Sequence, residues 1–236
     1  MSKLVLWGTS IGKGVVYDEH RRRYALAKDR CANVMTAAGL QVENHARMGA
    51  TIRDGMADLM ETETHAGDSA VLEYGGNDCD LDWQAVSDHP DIRQAGKTPL
   101  AAFQELLNEF IRRVRARGMQ PVLVNPPPLL SHRYYEWVSQ NRDADAIARY
   151  LGDIENIARW HERYARVVER TARLQRCPLA DFRGLFLDQP HMEDFICLDG
   201  IHPNENGQRL MGQHVCDALL HPHTGECLLV LPDQNG

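Results

Sequence analysis

The sequence predicts an α/β layer fold built on a mostly parallel sheet. Short apolar runs alternate with amphipathic helical stretches along the chain, the order that lays helices over the faces of such a sheet. Three short polar or glycine-bearing turns, Gly8–Gly14, Arg47–Thr51 and Gly75–Asp78, follow the first three apolar runs. Each then falls beyond the carboxyl end of a strand, where open parallel sheets bind their ligands.

The elements follow in order. Lys3–Trp7 reads as the first strand. The spacing of Tyr24, Ala27, Cys31, Val34 and Ala38 predicts a helix over Glu19–Ala38, with Asp18 as its N-cap, Arg21-Arg22-Arg23 as its solvated start and Gly39 as its stop. Gln41–Ala46 is a weak second strand, and Thr51 caps a short helix that buries Ile52, Met56 and Leu59 or Met60. Ser69–Tyr74 is the third strand, and a long loop covers Gly75–Lys97. Thr98-Pro99 opens a helix, because proline suits a first turn; Leu100, Phe103, Leu107, Phe110 and Val114 form its apolar stripe, and Gly118 ends it.

Pro121–Asn125 is the fourth strand, ended by Pro126-Pro127-Pro128, which cannot donate ladder hydrogen bonds. Leu129–Arg142 reads as irregular. A long helical pattern runs over Asp143–Arg176, with His161 in its apolar register and a break at Gly152-Asp153. Pro178–Asp181 is the fifth strand and Glu205–Leu220 the last helix, for which Asn204 can serve as the cap. No internal repeat, low-complexity segment or linker divides the chain, so residues 1–236 read as one domain, with 226–236 as an extension in which Leu228–Leu231 can add a strand.

Composition narrows the function. A net charge of −7 disfavours the phosphate backbone of nucleic acid. No apolar run reaches the roughly 20 residues that span a bilayer, and Met1-Ser2-Lys3 leads straight into the first strand without an export signal. A cytoplasmic protein is expected. The six cysteines form no C-x-x-C pair, so metal-knuckle spacing is absent and reduced thiols are expected, with Cys31 and Cys216 as small buried hydrophobes. His221-Pro222-His223 reads as a tail turn rather than a metal site. The first turn is not a phosphate-binding P-loop: Gly8 to Lys13 is one residue short, and Gly14 stands where the magnesium-binding hydroxyl belongs.

The chemistry concentrates at the two ends of the chain. Ser10 lies in a glycine-rich turn after the first strand, a place for a nucleophilic hydroxyl. Asp199-Gly200-Ile201-His202 supplies a base with a carboxylate three residues before it. Together they provide the parts of a Ser-His-Asp device. Trp83, Tyr134, Tyr135 and Trp137, on the long loops, are candidates to line its pocket.

Four ordered blocks make the sequence similar to the SGNH (GDSL) hydrolases. Gly8-Thr9-Ser10 resembles that family's Gly-Asp-Ser, Gly49 its second block, Gly76-Asn77-Asp78 its third, and Asp199-x-x-His202 its last. The resemblance implies a single-domain, flavodoxin-like three-layer α/β/α sandwich with a five-stranded parallel sheet. It implies acyl-serine chemistry without a cofactor or metal, with Ser10 as nucleophile, His202 as general base and Asp199 as its orienting carboxylate. The N–H groups of Ser10 and Gly49 and the amide of Asn77 would form the oxyanion hole. Thr9 departs from the family aspartate; it keeps a hydroxyl and loses a charge. The expected partner is a small acyl ester, with an acetyl group favoured by the lack of an extended apolar lid. An acyltransferase on the same site and a non-catalytic binding module are the alternatives.

Overall fold

A computed structural model describes residues 3–220 and the strand Leu229–Val230. His221-Pro222-His223 and most of the 226–236 extension lie outside the described residues. In chain order the elements are β1 (Leu4–Gly8), α1 (Ser10–Lys13), β2 (Val15–Asp18), β3 (Arg23–Leu26), α2 (Cys31–Ala37), β4 (Val42–Asn44), α3 (Ile52–Glu61) and β5 (Ser69–Glu73). There follow α4 (Gly76–Cys79), α5 (Trp83–Asp88), α6 (Leu100–Ala116), β6 (Gln120–Val124), α7 (Ser131–Ser139), α8 (Ala144–Leu151) and α9 (Asn156–Leu174). The chain continues through β7 (Leu179–Ala180), α10 (Phe182–Leu187), α11 (Glu205–Leu220) and β8 (Leu229–Val230).

The main sheet has the order β4-β1-β5-β6-β7-β8. Its first five strands are parallel, as expected, and β8 adds to β7 antiparallel. Side chains alternate between faces along each strand. Trp7, Leu72, Phe103, Phe110 and Tyr164 join one core under α3, α6 and α9. Val124, Phe186, Met35 and Met211 join the other, under α2, α10 and α11. On the first face α3 comes so close to the sheet that a Cβ at Gly55 would stand 1.9 Å from the Tyr74 hydroxyl.

Three expectations are corrected. Glu19–Ala38 is not one helix: β2 and β3 form an antiparallel hairpin, and helix begins only at Cys31. Val15, Val16, Tyr17 and Tyr24 are β-branched or aromatic and pair well across two strands; Tyr17 and Tyr24 meet with ring centroids 5.4 Å apart. Asp18 therefore ends a strand, and Arg22, at φ 49°, belongs to the hairpin turn. The Gly75–Lys97 stretch carries α4 and α5, the latter capped by the Asp82 side chain. Leu129–Arg142 is mostly α7, and it buries Tyr134 and Val138. The expected break at Gly152 does separate α8 from α9.

Candidate active site

The turn after β1 is built around a buried carboxylate. Thr9 caps α1 by accepting from the Ile11 N–H at 3.2 Å. Its own N–H and hydroxyl donate to Glu73, at 2.8 Å and 2.9 Å to Oε2, and the Gly12 N–H donates to the same oxygen at 3.0 Å. Glu73 comes from the neighbouring strand β5, paired with Gly8 in the ladder. Burial pushes its carboxyl up to about 7, against the opposing pull of the Thr9 and Gly12 donors. Where the family carries an aspartate, this chain thus anchors the Thr9 hydroxyl on a carboxyl reaching in from the next strand.

This turn presents Ser10 to the distant C-terminal segment. Ser10 Oγ lies 2.8 Å from His202 Nε2, across 192 residues of sequence. His202 Nδ1 lies 2.6 Å from Asp199 Oδ2. Because a carboxylate only accepts, Nδ1 carries the proton and Nε2 offers its lone pair to the serine hydroxyl. All three side chains are buried.

The Asp199 loop is locked from several sides. Asp199 Oδ1 accepts the N–H groups of Ile201 and His202 at 3.1 Å and 3.0 Å. Burial raises the Asp199 pKa, but the His202 ring and these backbone donors outweigh it and hold the carboxyl below its ordinary range. The Cys197 N–H donates to the His202 carbonyl, and Arg133 on α7 donates to the carbonyls of Glu193 and Ile196. Asn204 caps α11 through Asn206 and Gly207, as expected.

Tyr24 joins this site with no motif to announce it. Its hydroxyl donates to Asp199 Oδ2 at 3.0 Å, and its ring lies 5.2 Å from the His202 ring. Burial, then the adjacent Asp199 charge, raises the Tyr24 pKa and keeps the hydroxyl protonated. Tyr17 and Trp137 buttress Tyr24, with Trp137 edge-on to Tyr17 at 4.7 Å. Trp137 supports the hairpin in this way and is not part of the cavity wall.

The other two turns stand at the same sheet edge. Asn77 Nδ2 donates to the Ala50 carbonyl at 2.9 Å, which leaves its second amide hydrogen available. Asp78, fully buried, accepts from the Ile52 N–H at the start of α3 and from the Gly75 N–H. One side chain thereby ties the Gly75–Asp78 turn to the turn that carries Gly49. Gly49 is exposed at φ 77°, a left-handed conformation that favours glycine.

A cavity of about 450 Å³ opens beside Ser10, Asn77 and His202. Its further walls include Leu81, Trp83, Leu129, Tyr134, Trp160 and His161. Trp83 and Tyr134 thus line it as expected, whereas Tyr135 and Gly49 do not. The volume exceeds the needs of an acetyl group and lies in the usual range for small-molecule sites. Among the described residues no helix is long and apolar enough to cross a membrane, and the cysteines Cys31, Cys79, Cys177, Cys197 and Cys216 are buried and unbridged.

A five-stranded parallel sheet carrying a buried Ser-His-Asp chain at its carboxyl edge defines the SGNH type of α/β protein. The chain belongs to the GDSL-like Lipase/Acylhydrolase family, whose pattern matches residues 6–210. A lipase/acylhydrolase from Enterococcus faecalis shares the fold, with a TM-score of 0.62 at 22% identity, over 92% of this chain and 94% of that one. A member of the lipolytic G-D-S-L family from Veillonella parvula matches with a TM-score of 0.62 at 12% identity, over 94% and 100%. Axe2, an acetylxylan esterase from Geobacillus stearothermophilus, matches with a TM-score of 0.59 at 17% identity, over 90% and 91%. No curated protein matches the sequence.

Proposed function

We propose that the protein is a serine esterase that cleaves an acyl ester through an acyl-serine intermediate. The observation that carries this reading is the continuous chain Ser10 Oγ–His202 Nε2, 2.8 Å, and His202 Nδ1–Asp199 Oδ2, 2.6 Å. A serine hydroxyl is a poor nucleophile until a positioned base takes its proton, and His202 occupies that position.

In the reaction Ser10 Oγ attacks the ester carbonyl as its proton passes to His202 Nε2. Asp199 stabilises the imidazolium. The anionic oxygen of the tetrahedral intermediate takes hydrogen bonds from the Asn77 amide and the Ser10 N–H, which border the cavity; Gly49, expected as a third donor, lies outside its wall. Collapse breaks the bond to the alcohol oxygen, which leaves with the proton from His202. Water then attacks the acyl carbon, His202 takes its proton, and the acid departs as Ser10 regains its hydrogen. The Ala50 carbonyl supports the Asn77 role by fixing one amide hydrogen so that the other has a set direction.

The test is turnover of p-nitrophenyl acetate and hexanoate by the parent protein and by Ser10→Ala, with fluorophosphonate labelling in parallel. Turnover and labelling confined to the parent are expected. Equal turnover by both proteins removes Ser10 from the mechanism. A folded parent that neither turns over nor labels is a binder on this scaffold.

A further inference from the structure

One buried side-chain nitrogen in the cavity wall has no partner. His161, on α9, is buried, and its Nδ1 is sealed from solvent without a hydrogen bond. Its polar neighbours Asp80 and Trp160 are engaged. Asp80 Oδ1 accepts from the Tyr134 hydroxyl at 2.6 Å and from Trp83 Nε1 at 2.9 Å, and its Oδ2 accepts from Lys97 at 2.8 Å. Trp160 Nε1 donates to the Cys79 carbonyl at 2.7 Å. A buried polar group is ordinarily satisfied, and one that is not calls for a reason.

The chemistry of the ring sets what it can bind. With Nδ1 sealed, His161 meets the cavity through its opposite edge, which carries Nε2. An orphaned buried N–H is rarer than an under-satisfied acceptor, so the proton belongs on Nε2 and the lone pair on Nδ1. Burial and the Arg183 charge also keep the ring neutral, with its pKa pushed down to about 3. His161 therefore offers one neutral N–H donor to the cavity. A neutral ring gives a ligand carboxylate no charge to pair with, and Asp80 stands on the same wall; the cavity's cation, Arg93, is exposed.

We propose that His161 Nε2–H recognises a neutral oxygen acceptor, a hydroxyl, ether or carbonyl, carried on the apolar part of the ester and separated by several atoms from the scissile carbonyl. The substrate class is then an oxygen-bearing ester larger than an acetate. This rests on the cavity beside Ser10 being the substrate site, as in the function proposed above, but its test needs no turnover.

The full-length Ser10→Ala protein is titrated calorimetrically with methyl esters of four to eight carbons, each paired with its ω-hydroxy and ω-carboxylate counterparts. At one or more lengths the ω-hydroxy ester binds roughly three- to tenfold tighter than the plain ester, the value of one neutral hydrogen bond. Ser10→Ala/His161→Leu loses that preference. Equal affinities at every length overturn the proposal, as do a preference that survives His161→Leu, tighter binding of the ω-carboxylate that is lost in His161→Leu, or no ester binding at all. If the double variant does not fold, ¹⁵N-histidine spectra of the single variant decide. A neutral ring protonated at Nε2 whose signal moves on adding the ω-hydroxy ester supports the proposal, and an Nδ1–H tautomer or an unmoved signal overturns it. Absent hydrolysis by the parent protein alongside the predicted binding would refute the esterase reading and leave this recognition standing.

Discussion

The Tyr24 hydroxyl and the His202 ring hold the same oxygen of Asp199, at 3.0 Å and 2.6 Å. The carboxylate that orients the imidazole is therefore itself oriented by a residue of the β2–β3 hairpin. Tyr24→Phe removes that donor and keeps the ring packing. Negative charge on Asp199 is then less dispersed and supports the imidazolium more strongly, so the acid limb of the kcat/KM profile moves to higher pH. A loss of about tenfold or less in kcat is expected, since one hydrogen bond is at stake. An unmoved acid limb would make Tyr24 a packing residue only.

Glu73 makes stability depend on pH with a definite sign. Its folded carboxyl lies at about 7 and its ordinary value is 4.5, so between those values the folded chain holds a proton that the unfolded chain has released. This contribution is full below 4.5 and is lost as pH rises through 7. His161 acts oppositely: at about 3 folded against 6.5, its contribution is full above 6.5 and is lost as pH falls. Above pH 6.5 the remainder of the His161 titration runs against the Glu73 slope, so the Glu73 contribution is read as a difference between parent and variant. Between pH 6.5 and 8 the parent should lose about 1 kcal/mol, or about 2–4 °C in Tm, relative to Glu73→Gln. An identical pH dependence of the thermal melts in both proteins would assign the effect elsewhere.

Asn77→Ala separates binding from rate. Loss of one oxyanion donor typically costs about 10²–10³ in kcat, with KM little changed because the charge develops only in the transition state. Steady-state kinetics on an activated ester measures both. A variant that raises KM and spares kcat would place Asn77 in ground-state binding.

Gly55→Ala tests the packing of α3. Alanine favours an exposed helix interior by about 1 kcal/mol, but here its Cβ would stand 1.9 Å from the Tyr74 hydroxyl. Overpacking of this kind costs about 1–3 kcal/mol, so the midpoint of urea unfolding should fall. Tyr74→Phe in the same chain removes the nearest atom and should recover part of the loss. A rise in midpoint for Gly55→Ala alone contradicts the close approach.

Much of the sheet was legible because its strands are apolar runs closed by turn formers. Ser69–Tyr74 and Pro121–Asn125 fall within a residue of β5 and β6, and the α6 stripe is buried from Phe103 to Val114, with Leu100 partly so. The ends of the triad were legible as motifs. The residues that set its surroundings were not, since each sits in a pattern with another meaning. Tyr24 fits a helical register with Ala27 and Cys31, and only the alternation around Tyr17 and Tyr24 marks two strands. Glu73 is the one charge in an otherwise apolar strand, a signal that was available. His161 lies in the apolar register of α9, where a buried histidine without a ligand looks the same as one awaiting it.

The hydroxyl stands at position 10 and its imidazole at position 202, joined by a 2.8 Å contact. The serine meets that ring only after the chain has grown 192 residues further and the strands between them have paired. A chain cut short before His202 keeps the hydroxyl and lacks the imidazole that faces it.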